Sequence, residues 1–180
     1  MLEQELQQYL LKEFPQENTR CEWKEMKNLK NSFAGDEGND VISYVSAIAN
    51  MEGGYLVIGV KDQTLDIVGT DLSKFNLNTQ SATYKLIEHC TNLSSEGLSI
   101  EEYITDDTQK VVWIITIPKH LPRRPVYAHK KAWQRISDSL VEMTPERMVT
   151  ILEEPTMTDN DWSSEIVPNA TISDLDEVAI

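Results

Sequence analysis

Leu2, Leu6, Leu10 and Phe14 recur every four residues, a helical stripe that Pro15 prevents from continuing. Over Cys21–Lys27 the pattern alternates instead. Glu22, Lys24 and Met26 share one face and Cys21, Trp23 and Glu25 the other, which predicts a strand. Residues 28–39, rich in Asn and Gly, read as a loop. Asp40 to Asn50 predicts a helix with Val41, Tyr44, Val45 and Ile48 in its stripe, and Ala47 and Ala49 allow close packing. Gly53-Gly54 ends it as a left-handed cap would. Tyr55 to Val60 is a short unbroken apolar run rich in β-branched residues, the mark of a central strand covered on both faces. Then come a short strand at Ile67–Gly69 and a helix over Thr79–Leu93 with Tyr84, Ile87 and Cys90 inward. Leu98–Ile104 and Lys110–Ile117 form a hairpin, and Lys131–Ser137 another strand. Thr144 caps a last helix that starts at Pro145 and runs to about Leu152.

Helices and strands in this irregular order predict an α+β fold, a mixed β-sheet of five to six strands with helices packed on it. Residues 1–153 read as one domain. Beyond Pro155 apolar periodicity fades, so residues 154–180 read as an acidic linker or the start of a following domain. Apolar residues make up 40% of the 180, enough for a packed core. No apolar run approaches the ~20 residues of a membrane span, and the acidic start has no secretory character. Cys21 and Cys90 are too few for a disulfide scaffold, and a cytoplasmic location with reduced thiols is expected.

A net charge of -14 argues against a polyanionic partner until its distribution is read. Residues 151–180 carry eight acids and no Lys or Arg, leaving -6 over the rest. Val111 to Ser137 contains no acid and six cations: Lys119, Arg123, Arg124, Lys130, Lys131 and Arg135. A local patch of one sign attracts phosphate even on an acidic chain. A solvated hairpin face explains the same residues equally well. Trp113, Tyr127 and Trp133 interleave with the cations and could stack unpaired bases, although Trp113 sits in an apolar strand and reads as core.

Other chemistries find little support. The order helix, Gly-Gly, strand is the reverse of a phosphate-binding loop. His89, His120 and His129 are scattered, and neither cysteine has a nucleophile signature. Glu17, Glu22 and Asp62 lie at segment ends and could converge. Three carboxylates repel one another, and Mg²⁺ or Mn²⁺ would relieve this and activate water against a phosphodiester. On spacing alone a salt-bridged surface, Glu22 with Lys24 for instance, is the better account.

Glu17-Asn-Thr-Arg-Cys-Glu22-Trp-Lys24, then Ala47-Ile-Ala-Asn50-Met-Glu-Gly53-Gly54 and Gly59-Val-Lys-Asp62, resemble the Schlafen AlbA-type domain. Arg123 to Tyr127, Trp133 to Ser137 and Thr144-Pro145-Glu146 resemble its closing strand and helix, so the likeness spans about residues 12–152. The resemblance implies a nucleic-acid-binding module of α+β fold, as found at the front of bacterial transcriptional regulators. An ATPase-like region would follow it, and residues from Asp161 on look like its start. In animal Schlafens the acids matching Glu17, Glu22 and Asp62 form a metal-dependent ribonuclease site. Ile48 and Gln134 depart from the family's usual residues.

The expectation carried forward is DNA or RNA binding without catalysis in this chain, with no certain cofactor. Lys24, Lys119, Arg123, Arg124, Lys130, Lys131 and Arg135 would contact phosphates and Trp133 a base. The enzymatic alternative is a ribonuclease holding Mg²⁺ or Mn²⁺ on Glu17, Glu22 and Asp62. The third reading is a homodimerisation or protein-interaction module.

Overall fold

In the computed structural model, which describes residues 1–15, 17–18, 20–29, 32–62, 64–70 and 77–156, the alternation starting at Cys21 is realised over Cys21–Lys24 (β1). The chain then turns through a short 3-10 segment, Met26–Leu29, because this buries both Met26 and Leu29. Helix α2 (Val41–Ala49) follows and leads to β2 (Gly54–Ile58), which pairs parallel with β1. Strands β4 (Ser99–Ile104) and β5 (Val111–Ile117) form the expected hairpin, and β5 runs antiparallel to β2. The sheet order is β1-β2-β5-β4, so β2 is internal as its apolar run predicts.

One face of this sheet carries α1 (Glu3–Glu13). Leu6 and Leu10, with Phe14 just past its end, pack on Trp23, Val57, Val112 and Ile114. Burying each such side chain contributes about 2 kcal/mol. Leu2, the first position of the stripe, stays exposed. The other face carries α2, whose residues are all buried except half-buried Tyr44. That burial is possible because α2 lies between two sheets, where Ser43, Ser46, Ala47 and Ala49 permit close approach.

The second sheet was not foreseen as a separate layer. It holds β3 (Cys90–Thr91), β6 (Tyr127–Ala128), β7 (Lys131–Ile136) and β8 (Ser139–Glu142) in the order β3-β6-β7-β8. The described residues thus form two four-stranded sheets where five to six strands in one sheet were expected, and the α+β class stands. Two-residue strands leave no periodicity to read. Helix α3 (Thr79–His89) buries Ala82 and Leu86, with Cys90 one further step of four along. Tyr84 and Ile87 were expected inward and instead face out, Tyr84 at 66% exposure. Helix α4 (Pro145–Leu152) begins at Thr144, whose hydroxyl accepts from the Arg147 amide. No helix among the described residues is long and apolar enough to cross a membrane. The expected linker beyond Thr156 lies outside the described residues.

Asn50 joins the layers. Its amide donates to the carbonyls of Val126 (2.8 Å) and Trp133 (2.9 Å), and its side-chain oxygen accepts from the Val126 amide (2.7 Å). The Arg147 guanidinium donates to the backbone carbonyls of Asn50 and Met51. The Gly-Gly pair is equally structural. At Gly53 (φ +67°) a Cβ would fall 2.6 Å from the Lys119 amide, and at Gly54 one would fall 1.9 Å from the Arg20 carbonyl oxygen. That closeness lets the Tyr55 amide donate to the same Arg20 carbonyl at 2.7 Å.

Candidate functional site

Glu22 and Lys24 lie two residues apart on β1, so both point to the side where α2 packs. Their strand partners are Leu56 and Ile58, two residues of the core beneath α2. An edge strand thus carries two charges inward between the sheets. The second sheet answers with Arg135 from β7, whose Nη1 contacts Glu22 Oε2, and both side chains are almost fully buried. On the other side Lys24 Nζ lies 2.7 Å from Glu22 Oε1 and 2.9 Å from Asp62 Oδ2. The ammonium also sits 5.7 Å from the centre of the Tyr44 ring. Glu17 reaches β1 differently, accepting from the Trp23 amide at 3.1 Å.

The result is a chain of alternating charge, Arg135 to Glu22 to Lys24 to Asp62, with Glu17 beside it. Burial pushes the Glu22 carboxyl above the usual range, against the pull of Lys24 and Arg135. Burial disfavours the Lys24 ammonium as well, but Glu22 and Asp62 outweigh it and hold the group above its ordinary value. Both thiols are inert by the same physics. Burial raises Cys21 and Cys90 each to about 12. A cleft of about 490 Å³ opens next to the cluster, lined by Glu17, Asn18, Arg135, Ser137 and Asp138. Asn18, Ser137 and Asp138 escape the sequence reading, because loop positions show no periodicity.

The donor set does not fit a divalent ion as arranged. Both Glu22 oxygens are engaged by cations, and Asp62 commits one oxygen to Lys24. Of the carboxylate oxygens in this cluster, Asp62 Oδ1 and Glu22 Oε2 are buried without a hydrogen-bond partner among the described residues, and Oε2 is met by the Arg135 guanidinium. No group of three or more His, Cys, Asp and Glu side chains among the described residues could hold a metal ion. Lys24 supplies positive charge where the ribonuclease alternative would place Mg²⁺ or Mn²⁺.

The cations expected to meet phosphate divide in two. Lys24 and Arg135 are interior groups committed to Glu22, so they are corrected to structural roles. Trp133 is also corrected. It is 7% exposed, its ring lies against Gly38 and its indole donates to the Ala128 carbonyl, which leaves no face for a base. The others stand at the surface. Lys119 lies 3.3 Å from Glu52 and from Glu154, and the Arg123 Nε donates to the Glu154 carbonyl at 2.9 Å. Lys131 pairs with Glu37 and, at 3.7 Å, with Glu142. Arg124 and Lys130 are exposed.

Two turns hold Arg123 and Lys130. Between β6 and β7 the turn residues His129 and Lys130 both have positive φ, +54° and +63°. Arg123 has φ +61° in the preceding turn. The first turn is braced from below, with His129 Nε2 2.7 Å from Oδ2 of the fully buried Asp40. Asp40 is itself fixed, accepting from the amides of Gly35, Asp36 and Ser43.

Similarity to solved structures is low. The DIP2311 protein from Corynebacterium diphtheriae is 17% identical over 69% of this chain, with a TM-score of 0.49. The chain spans only 22% of that protein's length. The N-terminal domain of a RecG-related protein from Nitrosomonas europaea is 18% identical over 80% of this chain and 91% of its own, with a TM-score of 0.40. No curated protein matches. The family described as Schlafen, AlbA_2 matches residues 17–144, from the first acid of the cluster through both sheets to the cap of α4. With well over half of its sequence inside that match, the chain belongs to the Schlafen AlbA_2 family.

Proposed function

We propose that this domain binds nucleic acid by its phosphates, using Lys119, Arg123, Arg124, Lys130 and Lys131. The observation that carries the reading is the backbone at Arg123, His129 and Lys130, three of the four residues with side chains held at positive φ within the acid-free stretch, Ser137 being the fourth. A two-residue hairpin turn with both φ positive favours Asn-Gly, and a residue such as Lys there is strained. Strain that persists in a braced turn suits a functional position, and here it keeps cations at turn tips.

The acidic neighbours do not defeat this. Lys119 and Lys131 are each about 40% exposed in their pairs with Glu52, Glu154, Glu37 and Glu142. Surface pairs of this kind are worth little, about 0–1 kcal/mol, so a phosphate can exchange for the carboxylate. The buried cluster around Glu22 then serves as the fixed tie that holds β7 against β1. Service at the front of a transcriptional regulator rests on the family resemblance alone. Cleavage is no part of the proposal, since Glu22 has no oxygen free for a metal.

Titration of a fluorescent oligonucleotide with the full chain tests this. Binding should weaken steeply as salt rises and should be lost in Arg123→Glu/Arg124→Glu. Binding that survives the double charge reversal would overturn the assignment.

A further inference from the structure

A second, smaller cavity of about 240 Å³ lies on the opposite face of the first sheet, against α1. Three of its seven lining residues, Tyr9, Phe14 and Tyr55, are aromatic, and its two charged ones, Glu13 and Glu101, are negative. Tyr9 and Glu13 stand one helical step of four apart on α1, so both flank the same side of the helix. Phe14 and Tyr55 meet edge to face, ring centres 5.0 Å apart, and Tyr55 remains 38% exposed. Glu101 of β4 and Thr116 of β5 close the far side. The Glu101 carboxylate is oriented by the Tyr103 hydroxyl, which donates to Oε2 at 2.9 Å, and the Tyr103 ring in turn leans on Tyr9 at 5.8 Å.

We infer that this cavity is a binding site for a small aliphatic diamine in its dicationic form. Aromatic faces present negative charge to a cation, and the attraction grows as water is excluded. Glu13 and Glu101 supply two formal negative charges to match two ammonium groups, and the aromatic rings suit the methylene chain between them. The cavity is smaller than the 300–1,000 Å³ typical of drug-sized ligands, which favours a short unbranched amine. The local competitor is Lys12, 3.7 Å from Glu13. Its side chain is 82% exposed, so it can swing away at little cost. The site shares no residue with the cleft near Arg135 or with the cationic turns, so its test is independent of nucleic-acid binding.

The experiment is an amide chemical-shift titration of the isotope-labelled full chain with putrescine. The uncharged diol of the same chain length is the control. Saturable shifts confined to α1, β2, β4 and β5, at millimolar affinity or tighter, are expected for the diamine and not for the diol. Glu101→Gln and Tyr55→Leu should each weaken binding about tenfold, the second while keeping an apolar side chain. Both positions are exposed, so the variants should fold, and an unchanged spectrum elsewhere checks it. Absence of shifts, equal response to the diol, or full affinity in both variants would overturn the inference.

Discussion

The Lys24 ammonium lies 2.7 Å from a Glu22 carboxylate oxygen, with the Glu22 side chain 2% exposed and that of Lys24 12%. Removing one partner of such a pair strands the other. Lys24→Met should therefore destabilise the fold by about 3 kcal/mol at neutral pH. Its pH dependence has a sign. The Lys24 value is raised above the ordinary 10.5, so its contribution is complete below 10.5 and is lost as pH rises through the folded value. The stability gap between wild type and Lys24→Met, from urea melts, should be flat near neutrality and shrink above about 10.5. Glu22 is raised too, so acidification through its range favours the folded state at this site and does not erode it.

The same geometry bears on metals. With Lys24 seated between Glu22 and Asp62, Mg²⁺ or Mn²⁺ should leave the melting temperature of the wild-type chain unchanged. In Lys24→Met the two carboxylates lack that counter-charge, and either ion should raise the melting temperature. Differential scanning calorimetry with and without the ions decides it. A wild-type increase as large as the variant's would restore the three-carboxylate metal site.

Asn50→Ala should cost about 3 kcal/mol, because the Val126 amide and the Trp133 carbonyl would be left buried without their partner. The Val126 carbonyl retains the Ser46 hydroxyl at 2.8 Å. A cost below 1 kcal/mol in chemical denaturation would contradict the view that Asn50 clamps the second sheet onto α2.

Lys130→Gly separates stability from function. Glycine adopts φ +63° without penalty, so the variant should be up to about 1 kcal/mol more stable. It should also bind an oligonucleotide roughly fivefold more weakly, having lost one phosphate contact. A variant that is stabilised with unchanged affinity would remove the hairpin tip from the interface.

Legibility in the sequence followed element length. The apolar run at β2, the β4–β5 hairpin and the capped α4 could be read because each spans enough residues to show a period. Strands β3 and β6, two residues each, could not, and the second sheet was missed with them. Tyr84 was placed inward on α3 because helical periodicity tolerates a neighbouring stripe, and packing selected Ala82 and Leu86. At the site, Glu22 and Lys24 were visible as a pair. That Arg135 would join them was not, since 110 residues of sequence lie between Lys24 and it and only the pairing of layers brings it back. The motif Ala-Asn-x-x-Gly-Gly, which carries the family resemblance and whose Gly-Gly reads as a helix cap, is a structural joint.

The most direct test of phosphate recognition is the salt dependence of single-stranded oligonucleotide binding, measured by fluorescence anisotropy between about 50 and 200 mM salt. For Arg124→Ala/Lys130→Ala the slope of log affinity against log salt should fall by roughly 1.4, two contacts at about 0.7 each. An identical slope in wild type and double variant would contradict the assignment of these turns to the nucleic-acid surface.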